Sequence, residues 1–215
     1  MYGASERDID QIAEYADSTI RQALVRTGSL APIAGRRGLN AWLYDKWGNR
    51  GNAIYTFLGS LLTIALSGLL AWGLDEPLVF PSLGATAFLF FETPMAEVAS
   101  IRNTVIGHGV GTAVAFVWLN VFGLVGEPSA IAAGFTADRV ACVALSLGFT
   151  GFILRLTRAA HPPAGATTVI VSVGLLTEWD EVLILMSGVF LLSASAWALN
   201  RALGVPAPLW TAAKY

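Results

Sequence analysis

The chain has 215 residues, of which 55% are hydrophobic and only 13% charged, with a net charge of −2 and a mean hydropathy of +0.62. A soluble domain is about a quarter charged, so the composition excludes an ordinary soluble domain and points to a membrane protein. The absence of a basic face argues against nucleic acid as a partner, and a single cysteine, Cys142, excludes an intrachain disulfide.

Residues 5–27 predict one polar helix, with Ser5 as its cap and Gly28 as its stop. Ile9, Ile12, Ala13, Ala16, Ile20, Ala23 and Leu24 share one face, and the other face is acidic. Such a helix is expected on the protein's own cytoplasmic face or on a neighbouring subunit; a lipid-binding one is normally basic. Its acidic residues match neither a secretory signal nor a transit peptide. Residues 28–52 read as a Gly-rich connector whose Trp42, Tyr44, Trp47, Lys46 and Arg50 suit the membrane–water interface.

Six apolar segments follow, ordered long–broken–long twice. Ile54–Leu74, Asn103–Gly126, Val140–Leu154 and Val182–Asn200 are the long ones, and Pro77–Phe91 and Ala159–Thr177 are interrupted by proline and glycine. The interrupted ones carry a duplicated motif. Pro81-Ser82-Leu83-Gly84-Ala85-Thr86 and Pro162-Pro163-Ala164-Gly165-Ala166-Thr167 both read Pro-x-x-Gly-Ala-Thr, 81 residues apart. A repeated unit governs the reading of the fold, and Pro/Gly-interrupted segments at matching places in two halves point to a binding site.

If all six segments cross, Arg36, Arg37, Lys46, Arg50, Arg102, Arg155, Arg158, Arg201 and Lys214 lie on one side and only Arg139 on the other. That distribution obeys the positive-inside rule with both termini cytoplasmic. Three crossings per repeat is an odd number, so the expected fold is an all-α membrane protein of two inverted three-segment repeats with half-helices in the middle. The layout is residues 1–50 as cytoplasmic helix and connector, 51–126 and 127–203 as the membrane repeats, and 204–215 as a short tail. An extended Pro77–Pro81 reaches ~16 Å at about 3.3 Å per residue. A helix from Ser82 to Phe91 adds ~15 Å at about 1.5 Å per residue. The second unit would do the same from the other side, its helix starting near Ala164, so that two helix N-termini face each other at the midplane.

Helix N-termini present free N–H groups and roughly half a positive charge each, which suits an anion. The candidate site is therefore Ser82, Gly84, Ala85, Thr86, His161, Gly165, Ala166 and Thr167. The glycines would allow close backbone approach and the hydroxyls would donate. The alternative is that Gly-Ala-Thr is helix packing, since small residues let membrane helices approach; the duplication and the proline break favour a solute path. His161 reads as a proton-linked residue or as a cap of the second half-helix. His108, inside a span, reads as functional by default or as a neutral ring bonded to a neighbouring helix; Asn103, at that span's entrance, is a secondary candidate. Gly107-x-x-x-Gly111 reads as a packing face. With Ser193 and Ser195 it also offers surface for a homo-oligomer. Two histidines and one cysteine are too few for a zinc site, so neither metal nor cofactor is expected. No nucleophile–base pair at diagnostic spacing supports an enzyme.

The motif His161-Pro162-Pro163-Ala164-Gly165-Ala166-Thr167, with Pro81–Thr86, Arg102-Asn103 and Gly107-His108, resembles the signature of the HPP family of integral membrane proteins over roughly residues 50–203. The resemblance implies four membrane helices, where the charge distribution implies six. Chloroplast relatives have been implicated in nitrite transport, so it also implies a permease for a small anion. A bacterial-type inner membrane is the expected location. The competing reading is a non-transporting membrane scaffold or sensor whose first 50 residues bind a partner.

Overall fold

The computed structural model describes residues 38–211, so the helix expected over residues 5–27 lies outside the described residues. The described residues form eight helices and no strand. They are α1 (Gly38–Trp47), α2 (Asn49–Leu74), α3 (Pro81–Glu92), α4 (Ile101–Val121), α5 (Ala130–Ala133), α6 (Ala137–Leu156), α7 (Pro163–Ser172) and α8 (Trp179–Ala202), with a 3-10 turn at Glu97–Ala99 before α4. Helices α2, α4, α6 and α8 are long and apolar enough to cross a bilayer, given a core of about 30 Å and ~1.5 Å of rise per residue. Phe57, Leu61, Leu69, Val117, Phe152, Leu183 and Phe190 on these helices point outward and are exposed, as a span apolar all round requires. The described residues form an all-α membrane protein with four candidate spans.

The first span starts earlier than its charge-free stretch. Gly48 takes a left-handed φ of 58°, which ordinary side chains resist, and it turns α1 back onto α2. Gly51 packs directly on the Leu43 backbone. The expected connector is thus helical from Gly38, and Trp42 and Trp47, both exposed, flank Lys46 with its Nζ 4.9 and 4.8 Å from their rings. The two interrupted segments are the short helices. Proline occupies the first turn of α3 and of α7, where its missing N–H costs nothing.

Contacts between distant residues fix which helix ends meet. At one end the Leu39 N–H bonds the Leu203 carbonyl, and the Arg102 N–H bonds Leu209 in the tail. The Arg102 guanidinium reaches the carbonyls of Thr157 and Arg158, and Tyr55 meets Phe91 edge-on at 5.9 Å. The starts of α1, α2 and α4 therefore lie with the ends of α3, α6 and α8. At the opposite end the Ala130 N–H bonds the Val173 carbonyl, Arg139 donates to the carbonyls of Pro128 and Ser172, and Phe116 stacks on Trp179 at 5.3 Å.

Close packing of α4 on α7 runs through Gly107 and Gly111. A Cβ at Gly111 would stand 2.5 Å from the Thr168 hydroxyl and 3.0 Å from the Ala164 carbonyl, and one at Gly107 would stand 2.9 Å from His161 Cβ. These glycines, like the fully buried Ser193, are used inside one chain and leave no free face there for a partner copy. Apolar clusters occupy both ends of the bundle, around Tyr55, Phe90 and Ala196 at the α1 end and around Leu119, Val171 and Leu185 at the other. Between them lies a polar group of side chains.

Candidate functional site

Ser82 and Thr86 stand one turn apart on α3 and so share a face. Thr167 lies in the second turn of α7, His161 just before its first, and His108 on α4. None of these five is more than 1% exposed. His108 sits between the two threonines that end the duplicated motif: its Nε2 is 3.2 Å from Thr86 Oγ1, and its Nδ1 is 2.6 Å from Thr167 Oγ1. Thr86 Oγ1 is also 3.3 Å from His161 Nε2 and donates to the Ser82 carbonyl at 3.1 Å. Thr167 donates to the Ser82 hydroxyl at 2.9 Å. The Val98 carbonyl, in the 3-10 turn, accepts from His161 Nδ1 at 2.8 Å. The two imidazoles lie 5.1 Å apart, tilted by 58°.

The duplicated motifs thus meet through side chains, and they lie side by side. Ser82 pairs with Thr167, while Thr86 approaches His161, so the first turns of α3 and α7 pass each other antiparallel. The expected tip-to-tip arrangement of free N–H groups does not occur. The Leu83, Ala164 and Gly165 N–H groups bond the Phe80, His161 and Pro162 carbonyls. Tight turns around the prolines thus take up three of the donors that the two helix ends would offer.

The other expected residues fall elsewhere. Gly84 and Ala85 turn away from the cluster; a Cβ on Gly84 would meet nothing within 4 Å, and Ala85 is exposed. Ala166 is exposed as well, and a Cβ on Gly165 would touch only a Leu147 methyl, at 3.3 Å. Close approach belongs to Gly107 and Gly111 instead. Asn103 is buried but outside the cluster: its amide bonds the Glu97 carbonyl at 3.0 Å and the Ala160 carbonyl at 3.5 Å. It fixes the backbone on both sides of the His161–Val98 contact. Arg102 caps the end of α6, the structural role open to a cation at a span entrance. No group of three or more His, Cys, Asp or Glu converges among the described residues.

A groove of about 300 Å³ opens between α6 and the chain entering α7, lined by Thr150, Leu154, Arg155, Ala160, His161 and Gly165. It brings the cluster's edge, at His161, close to the α1 end of the bundle.

The model of the HPP transmembrane region matches residues 46–208. Among curated proteins, the chain is 26% identical over 157 residues to a transmembrane protein of Dictyostelium discoideum, covering 68% of this chain and 51% of that one. It is 29% identical over 127 residues to a second transmembrane protein of that organism, covering 58% of this chain and 37% of the other. The chain spans about half the length of these relatives or less. No solved structure matches. The family model covers most of the chain, all four candidate spans and both copies of the motif, and the chain belongs to the HPP transmembrane family.

Proposed function

We propose that the protein is a permease for a small inorganic anion, with the path passing between α3 and α7. One observation carries this reading: the two copies of Pro-x-x-Gly-Ala-Thr, 81 residues apart, place Thr86 and Thr167 on either side of one buried histidine. A packing role alone needs small residues at that contact, and here hydroxyl and imidazole groups fill it. Buried polar groups in a membrane are costly, and this set contains no Asp, Glu, Lys or Arg, which suits an anion better than a metal cation. The cluster is closed as it stands, so the permeating ion passes only when α3 and α7 part. The reading is non-enzymatic.

The crossings belong to the same proposal. Glu76 to Phe80 followed by α3, and Thr157 to Pro162 followed by α7, each return the chain from one end of the bundle to the other. Two inverted three-segment repeats result. Lys46, Arg50, Arg102, Arg155, Arg158 and Arg201 then share a side, opposite Arg139, which sets that side as cytoplasmic in a bacterial-type plasma membrane. Homo-oligomerisation is carried along without the Gly107–Gly111 face, and cross-linking in native membranes decides it.

Nitrite is the first anion to test, following the family resemblance. Purified protein in liposomes should take up nitrite at a rate that depends on the anion and not on the accompanying cation. Thr167→Val and Thr86→Val should slow uptake while insertion is kept, since each removes a hydrogen bond of roughly 0.5–1.5 kcal/mol and preserves shape. Wild-type protein that moves no small anion in this assay returns the chain to the scaffold reading.

A further inference from the structure

We propose that the groove between α6 and the chain entering α7 is a binding site for a small monovalent anion whose charge is spread over several atoms. That the anion enters the cluster from this site rests on the permease reading; the binding itself does not. The groove is open because two glycines face it. Gly151 of α6 and Gly165 of α7 both line it. A Cβ on Gly151 would meet nothing within 4 Å, and one on Gly165 would touch only a Leu147 methyl. Leu147, Gly151 and Arg155 stand four residues apart on α6 and so share one face. The turn that follows α6 is fixed in place: Arg158 takes a left-handed φ of 52°, and the Arg102 guanidinium donates to its carbonyl at 3.0 Å.

The lining divides by chemistry. Leu147, Leu154 and Pro162 make an apolar wall, and Thr150 brings a hydroxyl 3.2 Å from that of Thr168. Arg155, exposed in the last turn of α6, brings a full positive charge. None of the lining side chains is acidic. Both His161 nitrogens are engaged in the cluster, at Val98 and Thr86, so the ring closes the inner end without offering the groove a donor. Among the described residues, the α1 end of the bundle carries Lys46, Arg50, Arg102, Arg155, Arg158 and Arg201 against Asp45, Glu92 and Glu97. A cleft with low-dielectric walls under such an excess concentrates anions and turns cations away.

Size and lining select among anions. A volume of about 300 Å³ stands at the small end of ligand pockets, which run to about 1,000 Å³. A guanidinium presents paired N–H donors to a planar oxyanion and is itself weakly hydrated. The apolar wall returns no hydrogen bonds, so an ion that enters must give up part of its water readily. A monovalent ion of the nitrate or nitrite type, with its charge spread over several atoms, meets that condition. Sulfate carries a second charge that Arg155 alone does not balance, and it stays in water.

The test places a thiol in the groove. Cys142 is the only native cysteine, so Gly151→Cys in a Cys142→Ala background carries one sulfur, at a position with open space around it. The full chain in nanodiscs is treated with an anionic and with a cationic methanethiosulfonate, and each rate is divided by that reagent's rate with free cysteine. The anionic reagent should be favoured by about tenfold. Sodium nitrate and sodium nitrite should slow its reaction in a saturable way, and sodium sulfate at equal ionic strength should not. Arg155→Gln should cut the preference severalfold and remove the protection, whereas Arg201→Gln, at the same end, should keep both. A thiol that reacts without charge preference, or with neither reagent, overturns the site whether or not the arginine variants fold. Sulfate that protects as well as nitrate overturns the selection for a single charge. Protection by nitrite in a protein whose liposomes take up no anion leaves the site standing and removes the permease reading. Uptake of nitrite without protection at position 151 removes the site and leaves that reading.

Discussion

At the scale of the residue, the duplicated motif divides into two faces. Ser82 and Thr86 are four residues apart and turn inward; Gly84, two residues from either, lies about 200° round a helix of 3.6 residues per turn and turns outward. The sequence contained this information, and treating the whole motif as one lining surface concealed it. The role of His108 was less accessible, because its threonine partners lie 22 and 59 residues away and no local pattern brings them together. The glycines provide the test of this division. Gly84→Ala should change stability within about 0.5 kcal/mol, as surface substitutions do, because the new methyl meets open space. Gly111→Ala should cost about 1–3 kcal/mol, the usual range for overpacking, because its methyl is driven against the Thr168 hydroxyl and the Ala164 carbonyl. Unfolding in mixed detergent–SDS micelles measures both, and equal losses would contradict the assignment of faces.

At the scale of the element, the helices follow from composition and their tertiary anchors do not. Charge-free runs located all four long helices, and the prolines located the starts of α3 and α7 to within one residue. The ends shifted wherever a cap or a packed glycine took over. Helix α4 starts at Ile101, where Ser100 accepts from the Asn103 N–H, and α2 starts at Asn49 because α1 folds onto it. What holds a short helix such as α3 in place is a polar lock that hydropathy could not reveal. Asn200 of α8 accepts from the Tyr55 hydroxyl at 2.6 Å and donates to the Phe90 carbonyl at 3.0 Å, so one buried side chain ties α2, α3 and α8 together. Asn200→Leu fits the hydropathy of the span yet strands both partners. It should lower stability by about 1–3 kcal/mol for each group left unpaired, whereas Tyr55→Phe, which strands only one, should cost less. If the leucine variant is as stable as wild type, the lock contributes nothing and α3 is held by apolar contact alone.

At the scale of the whole molecule, the decisive feature is that α2 and α4, consecutive long helices, start at the same end of the bundle. Consecutive spans joined by a loop on one side run antiparallel, so in the proposed six-crossing arrangement the stretch from Asp75 to Glu92 returns the chain across the full thickness. The same argument applies between α6 and α8, with Thr157 to Ser172 as the return. This makes the topology testable with two residues at the surface. Glu92 ends α3 and Asp180 begins α8, both are exposed, and the native thiol Cys142 is buried and can be replaced by alanine as a control. Single cysteines at Glu92 and Asp180 should react with a membrane-impermeant maleimide from opposite sides, Glu92 from the cytoplasmic face and Asp180 from the external one. In a four-crossing arrangement the short helices re-enter and turn back, and both positions label from outside. That result would dismantle the inverted repeat. With it would go the reason for α3 and α7 to meet in the middle of the membrane, since two re-entrant helices entering from one face would lie parallel, and Ser82 could not then pair with Thr167 while Thr86 reached His161.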